Sequence, residues 1–406
     1  MHGLAFDCHP SIQRISPQTL DDRVTGAACC AIIFSMVPEL VFQYRLDLLK
    51  QIYAVLRKEN YSFLQWIPTG RARFGLALDP GNIASLLVHG KPRLFAASAA
   101  PEAYRFLLTK NQTLLWHACF LTEWLPRSAV AGAFGNELCE QAIQNGILAE
   151  DGDRLRFTVS FVPLGPRIFL RDVYDAYCDP ANHPPGLVWM GSDTLTFLLR
   201  LTDFLTRENR FESAIELGSG TGAPLIAASA FVRTALGIDY NQRAVAYTRL
   251  NAALNGAGNV TAVYSDMWRN VEGTFDLVLA NPWYCDLATG GLEEVPGLLE
   301  GLDRYLRNGG VCVMILESYI TPTGDSMRDF LSDFAQKERF DIELSSVGYG
   351  VVDAPEATAL NISRTVSYNA ILRKGGAGRV IVRPIPLIRR IKELAMLRLR
   401  RMAAAS

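Results

Sequence analysis

The sequence has little that would indicate a metal centre, an export signal or a membrane span. Its eight cysteines include no Cys-x-x-Cys pair, and no histidine spacing resembles a zinc site. The apolar run from Thr25 to Val37 is too short to cross a bilayer and lacks the flanking features of an export signal. We therefore expect a cytoplasmic protein with reduced thiols, no bound metal and no integral membrane association.

The chain also lacks the overall basic charge that nucleic-acid-binding proteins commonly show, because its formal net charge is -1. The charge is uneven, since residues 371–406 hold ten Lys or Arg against the single acid Glu393. A length of 406 residues with 49% hydrophobic residues predicts two or three domains with sizeable cores.

The most informative segment runs from Ala214 to Gly222, where an apolar lead-in is followed by Gly218, Gly220 and Gly222. This pattern predicts a buried strand that turns sharply into a helix, with a ligand lying against the bare backbone. The third glycine comes one residue too early for a dinucleotide-binding fingerprint. Glu216 would repel a pyrophosphate but suits a cationic ligand, and S-adenosylmethionine carries both a sulfonium and an ammonium group.

Polar residues then follow three more predicted strands. Asp239 ends the second strand, where its carboxylate can accept hydrogen bonds from both ribose hydroxyls. Asp266 follows the third strand, as a neighbour for an adenine amino group, and Asn281 to Tyr284 follow the fourth. Ligands of open α/β sheets bind at this edge, so we expect these residues to share one site.

The segment Asn281-Pro282-Trp283-Tyr284 suits transfer of a methyl group to nitrogen. A planar amide or amine must present its lone pair to the methyl group while its N–H groups are held by acceptors. The side-chain oxygen of Asn281 and the carbonyl of Pro282 can hold them, and Tyr284 can stack on the planar acceptor. Such an in-line displacement depends on alignment and electrostatics rather than on a strong base.

These residues carry a family resemblance. Residues 191–374 resemble a class I S-adenosylmethionine-dependent methyltransferase, within the small-domain group that has an asparagine-proline-proline-tyrosine motif. That group includes glutamine methyltransferases of release factors and amino methyltransferases of DNA adenine and ribosomal RNA guanine. The resemblance implies a Rossmann-like, seven-stranded α/β domain. Trp283 stands where the second proline is usual, which affects the identity of the acceptor more than the reaction type.

The resemblance also implies roles for single residues. The three glycines would line the methionine part of the cofactor, Glu216 its ammonium, Asp239 the ribose and Asp266 the adenine. The predicted cofactor-binding residues are Glu216, Gly218, Ser219, Gly220, Gly222, Asp239, Tyr240, Asp266, Met267, Asn281 and Thr194. The predicted catalytic residues are Asn281, Pro282 and Tyr284, and the predicted substrate contacts are Trp283 and Tyr284.

Each signal also has an interpretation without a ligand. The glycines could form an ordinary turn, Asp266 could cap a helix, and Asn281-Pro282 could simply end a strand. Trp283 is, by residue type, more often a packing residue than a substrate contact. The order of the signals, each at a predicted strand end, favours a methyl-transfer site.

The sequence divides into five predicted segments. These are an N-terminal extension (1–38), a helical, winged-helix-like domain (39–178), a linker (179–190), the methyltransferase domain (191–374) and a basic amphipathic tail (375–406). The second segment is expected to bind substrate, DNA or a second copy of the chain. It has predicted helices at 39–59, 101–109 and 111–123, two short helices within 128–149, and then a hairpin that pairs 154–161 with 167–170.

The tail is predicted to form a helix over 385–402. Packing on the protein itself or in a homodimer, binding to nucleic acid, and binding to an anionic membrane remain open for it. Three functions stay open for the whole chain. The first is an N-methyltransferase that acts on a small metabolite or a protein side chain, and the second is a nucleic-acid amino methyltransferase. The third is a non-catalytic regulatory protein that binds S-adenosylmethionine.

Overall fold

The computed structural model of the protein describes residues 44–61, 109–164, 166–173, 186–208, 211–282, 295–350 and 361–384. Several predicted features therefore lie outside the described residues. They are the N-terminal extension (1–38), the helix predicted over 101–109 except its last residue, residues 179–185 of the linker, the acceptor residues Trp283 and Tyr284, and the tail helix over 385–402. Within the described ranges, no helix is long and apolar enough to cross a membrane.

The front part, residues 44–173, combines helices with short strands. Its helices are α1 (Leu46–Lys58), α2 (Lys110–Leu115), α3 (Arg127–Phe134) and α4 (Asn136–Gln144). Its strands are β1 (Leu125–Pro126), β2 (Leu148–Asp151), β3 (Arg154–Phe157), β4 (Ser160–Leu164) and β5 (Arg167–Arg171). The strands β1, β3 and β2 form one antiparallel sheet, and β4 and β5 form a separate hairpin. The winged-helix interpretation of this region stays a prediction.

Two predictions for the front part were wrong in detail. The helix predicted over 111–123 changes to a π-helix at Trp116–Phe120, where the Leu121 N–H donates to the Trp116 carbonyl and the Trp116 and Phe120 rings stack. The strand predicted over 154–161 is two strands in two sheets. The break lies at Thr158, whose N–H and hydroxyl donate to carbonyls of the turn before β2 instead of continuing the ladder.

The second half alternates strands and helices. Its helices are α5 (Ser192–Arg207), α6 (Ala223–Ala228), α7 (Gln242–Leu254), α8 (Val295–Glu300), α9 (Leu302–Tyr305) and α10 (Ser326–Glu338). Its strands are β6 (Phe211–Leu217), β7 (Val232–Asp239), β8 (Val260–Tyr264), β9 (Phe275–Ala280), β10 (Leu306–Thr321), β11 (Gly324–Asp325), β12 (Phe340–Gly350), β13 (Arg364–Lys374) and β14 (Val380–Pro384).

The sheet order is β8-β7-β6-β9-β10-β13-β12-β14, and β11 pairs with β10. Strands β6 to β10 of this order pair in parallel, whereas β13 is antiparallel to both β10 and β12. The predicted Rossmann-like α/β domain is thus confirmed, and its sheet carries the antiparallel strands β13 and β12 beside the parallel ones. Strands β11 and β14 are additional to the predicted seven, and β14 continues the sheet beyond residue 374, into the segment predicted as tail.

The parallel strands are buried on both faces, as their nearly continuous apolar sequences require. One face packs against α5 and α6, through side chains such as Phe197, Leu201 and Leu225. The opposite face packs against α8, α9 and α10, through side chains such as Leu298 and Leu331. The helices α8 and α9 are a short pair, because the chain enters β10 at Leu306.

The front part docks on α7 of the sheet domain, and buried polar contacts fix the interface. The amide of Asn251 accepts from the Leu170 N–H (2.8 Å) and donates to the Leu170 carbonyl (3.0 Å). Asn255, one turn later, makes the same pair of contacts with Ile168. Asp172 forms a buried ion pair with Arg243 and accepts a hydrogen bond from the Tyr247 hydroxyl.

We predict that Asp172→Ala lowers the free energy of unfolding by about 3–5 kcal/mol, because it leaves the buried Arg243 guanidinium without its counter-charge. Urea denaturation measures this loss. Asp203→Ala is the matched control, since the Asp203–Arg207 pair is largely exposed and should contribute less than about 1 kcal/mol. Equal losses for the two variants would contradict the account of the interface.

Candidate active site

The predicted ligand-binding residues meet at the carboxyl edge of the sheet. Strands β6 and β9 are neighbours, and Leu217 pairs with Ala280. Gly218 and Asn281 therefore leave the sheet side by side, with backbones about 5 Å apart. The chain turns to opposite sides of the sheet at these two strands, which is where open α/β sheets form a binding crevice.

The three glycines of the loop after β6 all have positive φ, at +65°, +52° and +74° for Gly218, Gly220 and Gly222. They differ in their surroundings. A Cβ atom at Gly222 would lie 2.8 Å from the Thr248 side chain, so this glycine is required for packing. A Cβ atom at Gly218 or Gly220 would meet nothing within 4 Å. These two glycines therefore border open space over the loop, which a ligand can enter.

Hydrogen bonds from neighbouring elements fix the loop. The Ser219 N–H donates to the Ile238 carbonyl (3.0 Å), and the Gly220 N–H donates to the Asp239 carboxylate (2.9 Å). From α7, the Thr248 hydroxyl contacts the Ser219 hydroxyl and donates to the Gly220 carbonyl. The loop is therefore held open by the end of β7 and by α7 before any ligand binds.

Glu216 lies beneath this loop and is only 1% exposed. Its carboxylate accepts a hydrogen bond from the Leu225 N–H in α6 (3.2 Å). Burial raises the pKa of Glu216 well above its usual range, and the hydrogen bond from Leu225 offsets only part of that shift. A cationic group nearby would stabilise the ionised form. Its predicted contact with a cofactor ammonium stays a prediction.

Asp239 is the second buried carboxylate at this edge. It accepts from the Gly220 and Asn241 N–H groups, both at 2.9 Å, and burial raises its pKa despite these two bonds. Carboxylate oxygens have further lone pairs, so these bonds leave acceptor capacity for ribose hydroxyls. Tyr240 follows directly, and its ring is 66% exposed.

Asp266 and Met267 lie in the turn after β8. The Ser265 hydroxyl shapes this turn by donating to the Met267 carbonyl and accepting from the Asn270 N–H. Met267 adopts a φ of +46°, which is uncommon for a residue with a side chain. The half-exposed Asp266 carboxylate pairs with Arg269 at 3.0 Å. Contact of these two residues with adenine stays a prediction.

Asn281 and Thr194, which are 87 residues apart in the sequence, are in contact. The Asn281 Nδ2 donates to the Thr194 hydroxyl at 3.3 Å, and Thr194 is buried on the first turn of α5. This bond sets the plane of the Asn281 amide and identifies Oδ1 as its acceptor atom. Pro282 follows and is buried. The structure therefore brings together the threonine and asparagine that the sequence placed in one site.

These residues fit S-adenosylmethionine. The bare backbone at Gly218 and Gly220 leaves room for a chain-like ligand, Glu216 offers a carboxylate near its cationic end, and Asp239 offers acceptors for a ribose. The exposed ring of Tyr240 offers a surface for a planar base.

The sequence analysis missed the polar residues of α7 that support the site. Thr248 holds the glycine loop, and Asn251 donates to the Thr221 carbonyl at its end (2.9 Å) while it also binds Leu170. One signal was available. Thr248, Asn251 and Asn255 recur at spacings of three and four on the same helical face as the buried Tyr247.

Comparisons with known proteins point to methyltransferases. Residues 191–342 match the family model described as methyltransferase small domain. A putative protein N5-glutamine methyltransferase of Methanocaldococcus jannaschii is 32% identical over 154 residues, which cover 34% of this chain and 75% of that protein. A ribosomal RNA small subunit methyltransferase C of Klebsiella pneumoniae is 33% identical over 26% of this chain and 31% of its own length. A release factor glutamine methyltransferase of Buchnera aphidicola is 33% identical over 24% and 43%. The chain thus covers less than half the length of the ribosomal RNA methyltransferase and of the release factor methyltransferase.

We predict that Gly218→Ala and Gly222→Ala fail in different ways. Both introduce a side chain at positive φ, at a cost of about 1–3 kcal/mol. Gly222→Ala also overlaps Thr248 and should lose more stability in urea denaturation. The Gly218→Ala methyl group enters the open space over the loop, so titration calorimetry should show weaker S-adenosylmethionine binding by a largely folded protein. Wild-type affinity in Gly218→Ala would place the ligand elsewhere.

We predict that Glu216→Gln stabilises the protein at neutral pH and weakens its binding of S-adenosylmethionine. An acid whose pKa is higher in the folded than in the unfolded chain lowers stability as pH rises above its unfolded-state pKa. The melting temperature of Glu216→Gln should therefore exceed that of the wild type at pH 7, and the difference should shrink towards about pH 4. Glutamine keeps an oxygen acceptor for the Leu225 N–H.

The same variant lacks the carboxylate charge, so calorimetry should show at least a roughly tenfold weaker affinity for S-adenosylmethionine. Glu343→Gln is the matched control, because Glu343 forms a surface ion pair with Arg383 on the far strands of the sheet. Unchanged affinity in Glu216→Gln would remove that carboxylate from the cofactor site.

Proposed function

The chain belongs to the methyltransferase small-domain family of class I methyltransferases, and we propose that it methylates the side-chain amide nitrogen of a protein glutamine. The observation that carries this proposal is the Asn281 amide, oriented by Thr194 at the strand end beside the glycine loop. The relative of which the chain covers three quarters is named for protein N5-glutamine methylation, which supports this acceptor.

S-adenosylmethionine, when bound, supplies an electrophilic methyl group on a sulfonium. Gly218, Gly220, Glu216 and Asp239 would hold it at the carboxyl edge of the sheet, beside Asn281. The nitrogen of a primary amide is a weak nucleophile, because its lone pair is delocalised into the carbonyl group. A site that favours this reaction must orient the nitrogen and stabilise positive charge that develops on it.

Asn281 is suited to both tasks. Its Oδ1 can accept an N–H of the acceptor amide, and the Pro282 carbonyl can accept the second N–H. Two carbonyl oxygens held near the nitrogen would stabilise positive charge that develops on it during methylation. The nitrogen then loses a proton to water. No described side chain near Asn281 therefore needs to keep this proton.

A second acceptor is the exocyclic amine of a ribosomal RNA base. The match to a ribosomal RNA methyltransferase over 26% of the chain favours it. Methyl-labelled S-adenosylmethionine incubated with the protein and a cell extract separates the two. Label that is released by protease and resists nuclease supports the glutamine proposal, whereas label released by nuclease supports the RNA acceptor. Loss of methyl transfer at high salt would further indicate the RNA acceptor.

We predict that Asn281→Ala lowers the rate of methyl transfer by at least about 100-fold while the affinity for S-adenosylmethionine changes by less than about threefold. The rate is measured by label incorporation and the affinity by calorimetry. Thr194→Val should give a smaller loss, because the amide stays but its orientation is no longer fixed.

The control is Asn308→Ala, an exposed position near the amino end of β10 and far from the carboxyl edge. It should transfer methyl groups at the wild-type rate. Undiminished labelling by Asn281→Ala would show that this asparagine does not hold the acceptor.

A further inference from the structure

Asn369 is a buried amide that has no hydrogen-bond partner among the residues that the structure describes. It lies in the middle of β13 and is only 4% exposed. Within the part of the chain that the structure describes, neither its Oδ1 nor its Nδ2 has a partner. Buried polar atoms are nearly always hydrogen-bonded, because leaving them unpaired is costly. Such exceptions concentrate at functional sites, where a ligand completes the hydrogen bonds.

Two asparagines at the docking interface, the buried Asn251 and the partly buried Asn255, use both their oxygen and their nitrogen, in contrast to Asn369. Asn251 pairs its oxygen and its nitrogen with the N–H and the carbonyl of one residue, Leu170. Asn255 does the same with Ile168. An asparagine side chain therefore matches the donor and acceptor of an extended peptide segment, and Asn369 has this same pair of atoms available.

The register places Asn369 at the level of Asn281. Met314 of β10 pairs with Ala280 of β9, so the next residue, Ile315, is level with Asn281. Ile315 pairs in turn with Asn369. Two strand spacings separate Asn281 from Asn369, a distance of about 10 Å between their Cα atoms.

Asn369 also lies on the same face of the sheet as Asn281. Alternate residues of β13 face α5, since Ile371 packs in the cluster around α5 and Arg373 lies over Phe204 of that helix. Asn369 continues this alternation. Asn281 faces α5 too, because its amide contacts Thr194.

Polar side chains lie near Asn369 on this face. Glu317 of β10 pairs with Ser367 of β13 one step nearer the edge, and both are half-buried. Ser345 of β12 lies beside Asn369 and is also half-buried. The buried side chain of Ile315 lies between Asn281 and Asn369, so an acceptor that binds both asparagines passes over Ile315.

We propose that Asn369 binds a backbone peptide group of the residue whose side-chain nitrogen is methylated. This inference rests on the proposed protein acceptor. The amide nitrogen of a glutamine lies roughly 5–6 Å from its own peptide groups, given bonds of about 1.5 Å. Two hydrogen bonds of about 2.9 Å add the rest of the span between the two asparagines. Asn369 thereby distinguishes an amide carried by a polypeptide from a free small amide.

Two probes test this role: N-acetylglutamine N-methylamide, which has peptide groups on both sides, and butyramide, which has only the reacting amide. Wild-type protein should give a kcat/KM at least about tenfold higher for the first, mainly through a lower KM. Asn369→Leu should reduce that ratio to near one, with the same rate on butyramide and the same calorimetric affinity for S-adenosylmethionine. Its melting temperature should equal or exceed that of the wild type, since it removes unpaired buried polar atoms.

Asn369→Ser is the second variant, in case leucine does not fit the strand, and it should also lose the preference. Tyr368→Phe is the control. Tyr368 is the adjacent residue on the opposite face, where its hydroxyl donates to Asp325. Removal of this hydroxyl should therefore leave the preference for the first probe intact. A wild-type preference that persists in either Asn369 variant would overturn this inference and leave the proposed function standing. If the wild-type protein binds the cofactor but methylates neither probe, both this inference and the proposed function are contradicted.

Discussion

The geometry of the site depends on one buried amide, that of Asn251. It holds Leu170 of the front hairpin by two hydrogen bonds and the Thr221 carbonyl of the glycine loop by a third. Because α7 also holds the glycine loop through Thr248, one helix connects the front part of the chain to that loop. An acceptor held by the front part would therefore lie at a fixed distance from the methyl donor.

Three polar groups at or near the carboxyl edge of the sheet are buried at a cost in stability. Burial raises the pKa of both Glu216 and Asp239, and Asn369 has two unpaired polar atoms among the described residues. Each lowers the stability of the protein without ligands, and each becomes favourable when a cation, a ribose or a peptide group arrives. Such costs are expected where a protein is selected for binding rather than for stability alone.

The sequence was sufficient to predict the sheet and the residues at its strand ends, because glycine spacing and polar residues after apolar runs depend on local chemistry. It also placed Thr194 with Asn281, through a family resemblance. It did not predict the roles of Asn251 or Asn369, since the partners of a buried amide are set by register and docking between distant segments. A single asparagine in an apolar strand has the same sequence signature whether its side chain is exposed, hydrogen-bonded within the protein or able to bind a ligand.

Calorimetric titration of the folded protein with S-adenosylmethionine, and with its demethylated product S-adenosylhomocysteine, tests the central claim most directly. The account predicts saturable binding of each, with one site per chain. Absence of binding heat for both ligands, on protein shown to be folded by its cooperative unfolding, would contradict the assignment of the glycine loop as a methyl-donor site.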